Sequence, residues 1–116
     1  MIISDQDQEI IDKAIYLPLL VIVLNRDLMA VEETPFKLKS PYRLLIEETL
    51  KKVQKDLAVV KMYMRKNKIE VERLGENERG FTEYYTRSKD SEIRRAVNND
   101  VLRNKTEKLL DEYLKS

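Results

Sequence analysis

The spacing of apolar positions changes along the chain, and each change marks an element. From Ala14 to Leu24, in "KAIYLPLLVIVLNRD", eleven consecutive residues are apolar if Pro18 is counted among them. A segment that is apolar on every side for two to three turns belongs to a helix surrounded by protein. Ser4 with Asp7 three residues on is a variant of the capping box, and Asp5, Asp7 and Glu9 sit where the helix dipole favours negative charge. Pro18 lacks an N–H and clashes with the carbonyl of Ala14, so the helix is expected to kink or restart there. A spanning helix needs about twenty apolar residues. This run meets Asn25, Arg26 and Asp27 after eleven, and the acids before it are the opposite of a signal peptide's basic n-region. A buried core helix from about residue 5 to 32, with no membrane contact and a cytoplasmic location, follows as the expectation.

Pro35 and Pro41 make Thr34 to Ser40 a connection, because the residue before each proline is pushed away from helical geometry. A second helix is predicted over 41–67, with Ser40 as its cap and Asn67 at its end. Its apolar positions, Ile46, Leu50, Val53, Leu57, Val60 and Met64, step by four and three, which is the heptad seam of coiled-coil-like packing. Such a seam closes either an intramolecular hairpin against the first helix or a homodimer, with Leu50, Val53, Leu57, Val60 and Met64 as the candidate interface.

The period then shifts toward two. "IEVERL" begins with alternation, "GENERG" is bounded by Gly75 and Gly80, and "FTEYYT" is rich in aromatic residues and Thr, so residues 69–87 read as a β-hairpin with a six-residue loop. Beyond it, Ile93, Val97 and Val101, then Leu102, Leu109, Leu110, Tyr113 and Leu114, recur at helical spacing and predict a last helix over about 90–114. Asn98, Asn99 and Asp100 favour turns and caps, so a break is expected near Asn99. The fold class is mostly α (α+β): a single domain over 1–116, a bundle of three main helices with one β-hairpin between the second and the last.

Composition agrees and adds exclusions. Charged residues reach 37% while Gly and Pro total five, which favours long helices with solvated faces. The chain has no Cys, so disulfides and thiolate chemistry are excluded, and no His, which removes the usual general base near neutral pH and the commonest metal ligand. Net charge is only +1 but is segregated: residues 1–34 carry seven acids against two bases, and residues 35–68 ten bases against three acids.

Three constellations offer chemistry. Lys51, Lys52, Lys55, Arg65, Lys66 and Lys68 on the second helix form a candidate phosphate-tracking face, or else a solvated complement to the acidic first helix; Glu47, Glu48 and Asp56 interrupt it and the pI is 7.8. Arg87, Lys89, Arg94, Arg95, Arg103 and Lys105 beside Phe81, Tyr84 and Tyr85 could contact nucleic acid through base stacking, or else Phe81 and Tyr85 enter the core while the arginines pair with Glu92, Asp90 and Glu107. Glu32 with Glu33, Glu47 with Glu48, and Glu70 with Glu72 are carboxylate pairs that Mg²⁺ could use, but solvent-facing acids give the same pattern. Neither glycine sits in a phosphate-cradling motif. No catalytic residue, cofactor or metal site is indicated.

Taken together, "PFKLKSPY", "FTEYYT" and "LRNKTEKLLDEYL" resemble a group of small uncharacterised proteins from Bacillus-type bacteria and their phages or prophages. In that group, helices frame an aromatic hairpin and a last helix rich in Arg, Asn, Leu and Tyr. The resemblance implies a cytoplasmic accessory protein, phage-related in origin, and assigns no functional residue. A nonenzymatic interaction protein is therefore expected, self-associating as a homodimer or binding a protein partner, with nucleic-acid binding as the alternative.

Overall fold

The computed structural model describes residues 4–116. Helix α1 spans Asp5–Glu33 and α2 spans Ser40–Asn67; strands β1 (Glu70–Glu76), β2 (Phe81–Arg87) and β3 (Glu92–Asn98) precede helix α3 (Asn99–Lys115). The molecule is mostly helical α+β, with three helices and one antiparallel sheet in the order β1-β2-β3.

α1 and α2 form an antiparallel hairpin pinned at both ends. The Tyr63 hydroxyl donates to Asp7 Oδ1 (2.7 Å) beside the sheet, and Arg43 Nε donates to Glu32 Oε1 (2.6 Å) beside the connection. Ser4 caps α1 as expected, its hydroxyl accepting from the Asp7 amide at 3.1 Å. The expected restart at Pro18 does not occur: α1 is continuous for 29 residues through Pro18. α2 ends on Lys68, which takes a left-handed conformation (φ 54°) and returns its amide to the Met64 carbonyl.

α1 is apolar all round because two cores share it. Leu17, Leu20 and Leu24 pack with Leu50, Val53 and Val60 of α2, and Leu109, Leu110 and Tyr113 of α3 close over that cluster. One turn toward the N-terminus, Ile11 and Ile15 pack with Ile69, Tyr84 and Leu102. Ile15, Leu17, Leu20, Leu24 and Val53 are the largest fully buried side chains, each contributing roughly 1.5–3 kcal/mol by removal from water. The heptad seam is thus occupied within the chain: Leu50, Val53 and Val60 are buried, and Leu57 and Met64 lean on the same cluster.

By length and composition α1 would also cross a membrane, with an 18-residue stretch of mean hydropathy 1.8. In the fold α1 packs against α2, α3 and the sheet, and 28% of that stretch is buried.

The hairpin gains a third strand, which corrects the expected helix over 90–98. Ile93 and Val97 are four residues apart, a spacing that suits both a helical stripe and every second position of a strand. A two-stranded hairpin is marginal in water, and pairing Glu92–Asn98 along the free edge of β2 satisfies that edge. The break lies where the Asn-Asn-Asp run placed it. Asn98 ends β3 and caps α3, its side chain accepting from the amides of Asp100 and Val101.

The β1–β2 loop is shorter than six residues, because β1 continues through a bulge between Arg73 and Gly75 to Glu76. Gly75 and Gly80 have φ of +123° and +81°, where a side chain would be strained. β2 turns the opposite way from the expected core face: Thr82, Tyr84 and Thr86 are buried against the helices, while Phe81 and Tyr85 lie on the outer face. Both faces of "FTEYYT" carry an aromatic ring, so the alternation alone could not choose between them.

Candidate functional site

α1 has more apolar surface than the rest of the chain covers. Between α1, α3 and the helix-facing side of the sheet lies an open groove of about 900 Å³. Pro18, Leu19, Ile22 and Val23 form its α1 wall, and Leu102 and Leu110 its α3 wall. Ile22 is 48% exposed at its mouth. Ala14 and Pro18 both line it, and the missing N–H of Pro18 leaves the Ala14 carbonyl without its helical donor there.

The sheet end of the groove is polar. Antiparallel register sets Tyr84 between Arg73 on β1 and Arg95 on β3. Arg95 Nη2 reaches Asp12 Oδ1 across to α1 at 3.3 Å. Burial pushes the Tyr84 and Tyr16 hydroxyls above the ordinary tyrosine range, with nearby arginine charge opposing the shift, so both stay protonated donors near neutral pH. The Thr82 hydroxyl donates to Asn99 Oδ1, and the Asn99 amide donates to the Gly80 carbonyl at 2.9 Å, locking the corner between sheet and α3. Arg26, Arg73 and Arg103 stand around the rim together with Glu76 and Glu107. The arrangement suits an apolar segment whose edges carry both charges.

The predicted basic residues fall into separate places. Lys51, Lys55, Arg65 and Lys66 share one outward stripe of α2, about 22 Å long, all exposed. Lys52 lies to one side and donates to the Ser116 carbonyl at 3.4 Å, and Lys68 sits in the α2 cap. Arg94 is on the outer sheet face, paired with Glu83 at 3.3 Å, while Arg95 is turned inward to Asp12. The second-helix bases and the Arg94–Arg95 pair therefore do not form one surface.

The arginines of the sheet and α3 also choose partners other than Glu92, Asp90 and Glu107. Arg87 pairs with Glu70 and Arg103 with Asp100. Glu92 lies opposite Arg87 on β3 and Glu107 one turn beyond Arg103 on α3, so each arginine has an acid on either side and pairs with the β1 acid or with the one in the preceding turn. Among the described residues no group of three or more acids comes together as a metal site, and Glu32 and Glu70 are engaged by Arg43 and Arg87.

Sequence reasoning missed the groove because its walls come from α1, β1, β2 and α3. One signal was present: an all-round apolar helix requires cover on every side, and the elements available to supply it are few.

Comparison with known proteins places the chain in a family. It is 37% identical over 112 residues to "Uncharacterized protein YhjD" of Bacillus subtilis (strain 168), a match covering 97% of this chain and 92% of that protein. No solved structure matches it. The sequence model of the YhjD protein family matches residues 2–116, and with near full-length coverage of a Bacillus relative the chain belongs to the YhjD family.

Proposed function

We propose that this protein is a nonenzymatic, cytoplasmic interaction protein that works as a homo-oligomer, with the groove on α1 receiving α1 of a second copy. The observation that carries this is the open groove along the most apolar helix, with Ile22 at its mouth. Pro18 with Ile22 and Leu19 with Val23 form two adjacent i, i+4 rows on one face, which a two-fold axis would set against themselves. The rim carries charges of both signs, and Arg73 pairs with Glu76 and Arg103 with Asp100 within the chain, so a second copy would bring to it a surface of the same mixed, largely neutralised charge. A bend at Pro18 belongs to the same proposal, since it would curve α1 along its partner.

Sedimentation or light scattering tests it: the wild type should exceed 13.8 kDa and Ile22→Glu should return it to that mass with its helix content retained. A wild type that is monomeric across concentrations would remove the proposal. Leu57 in the seam is the wrong place for this test, because it packs against the core cluster and a charge there would lower stability as well.

A second function is favoured by one observation, the shared outward stripe of Lys51, Lys55, Arg65 and Lys66. Nucleic acid tracked by this stripe would give a mobility shift at low salt that weakens as salt rises. Phage or prophage origin is carried forward from the sequence resemblance, and the identity of neighbouring genes would test it.

A further inference from the structure

Independently of the groove, we infer that the α1–α2 connection and the first turn of α2 form a docking tip for an anionic lipid surface. Large apolar side chains collect there in the open. Leu38 is 75% exposed, and Phe36, Tyr42 and Leu44 are each about half exposed. The rings of Phe36 and Tyr42 are held 5.3 Å apart at 38°, so the two aromatics act as one preformed unit.

Cations alternate with these side chains in "PFKLKSPYRLL". Lys39 Nζ donates to the Glu32 carbonyl at 2.7 Å, and Arg43 Nε donates to the Glu32 carboxylate. Both are tethered to Glu32 at the end of α1. Lys37, between Phe36 and Leu38, is exposed and forms no ion pair among the described residues. Apolar tips with basic heads beside them match the bilayer interface, where rings and aliphatic chains enter the acyl boundary and ammonium groups stay at the phosphate level.

A protein partner fits this surface less well. Lysine is depleted from the cores of protein interfaces, and a stable interface needs about 800 Å² from each side. The connection closes one end of the α1–α2 hairpin in a molecule measuring 55 × 34 × 19 Å, which leaves a narrow tip suited to shallow insertion. Farther along α2, exposed Lys51 and Lys55 add attraction to an anionic surface, opposed by Glu47 and Glu48 and, at the tip itself, by exposed Glu33. Contact of this kind is peripheral and leaves α1 folded in the core.

The chain has no Trp, so Leu38→Trp introduces a single reporter at the tip. With vesicles of phosphatidylglycerol and phosphatidylcholine in equal parts, its emission should shift to the blue and brominated acyl chains should quench it. Pure phosphatidylcholine should give a much smaller effect. In flotation of the unlabelled protein, Leu38→Glu should lower partitioning by about tenfold or more, matching the loss of one buried leucine, with unchanged thermal melting. Ile22→Glu should leave partitioning intact even where it changes the oligomer mass, so failure of the tip and failure of the groove are separable. The inference is overturned if the wild type does not float with anionic vesicles at micromolar concentration, or if Leu38→Glu floats as the wild type does. It is equally overturned if Leu38→Glu lowers the mass of the protein in solution, which would make the tip a contact between copies.

Discussion

The two ends of the α1–α2 hairpin are built from similar side chains and have opposite fates. At the closed end, Ile11, Ile15 and Ile69 meet Tyr84 and Leu102 and are buried. At the open end, Met29, Phe36, Leu38, Leu44 and Leu45 remain in solvent. The difference is cover. The sheet and α3 pack over the end that carries Asp7 and Tyr63, and α3 stops on α2 near Lys52. Burial depends on a third layer over the helix pair, and function is sought where that layer is missing.

The largest effect should come from the shared core. Leu20→Ala, at a side chain with no exposure, should lower unfolding free energy by about 2–5 kcal/mol in a urea titration. A loss below about 1 kcal/mol would mean that α1 is less enclosed than its contacts indicate.

Next in size is the junction that joins sheet to α3. Asn98→Ala removes a cap that accepts two amides and should cost about 1 kcal/mol, measured in the same titration. Asn98→Asp should retain most of that stability, because its carboxylate can accept the same bonds.

The ends should also part in their response to pH. Burial, and then a hydrogen bond to Asp56, raise the Tyr113 hydroxyl well above the tyrosine range. Burial likewise raises Tyr84, while the hydrogen bond to Asp7 is the leading cause of the rise at Tyr63. A raised folded pKa stabilises the protein fully below the unfolded value of about 10 and ceases to do so as pH climbs through the folded one. Thermal melting should therefore fall from about pH 10 upward, and Tyr113→Phe should reduce that fall. At the open end the sign reverses: Arg43 holds Glu32 below the usual carboxylate range. Its small contribution is present above the unfolded carboxylate pKa and disappears as pH falls through the folded one. Arg43→Gln should flatten the acid limb of the melting profile and leave the alkaline limb alone.

Smallest of all should be Leu38→Ser, within about 0.5 kcal/mol of wild type, because the side chain gains little from folding. A large loss would show that the tip is covered in solution, and would dissolve the contrast between the two ends.

Several features were legible from local chemistry. Ser4 with Asp7 gave the start of α1, Pro35 and Pro41 the connection, and the four-three steps from Ile46 to Met64 the packed face of α2. The Asn-Asn-Asp run marked a break near Asn99, which the structure makes the junction of β3 and α3 instead of a hinge in a helix starting near residue 90. Where two periods shared the same spacing, local chemistry was silent: Ile93 and Val97 suit helix or strand, and only the free edge of β2 selected strand. Of the candidate site, the all-round apolar character of α1 was visible and the groove beside it was not.

What the order of residues determined by itself is the set of helices, the turn-forming positions and an N-terminal helix too apolar to stand alone, because capping, backbone restriction and periodicity act within a few residues. Tertiary structure decided the third strand, the inward face of β2, the partners of the arginines and which part of α1 stays open. Those outcomes depend on which surfaces meet across the fold, where Tyr84, Arg95 and Asp12 come together from three distant stretches of chain.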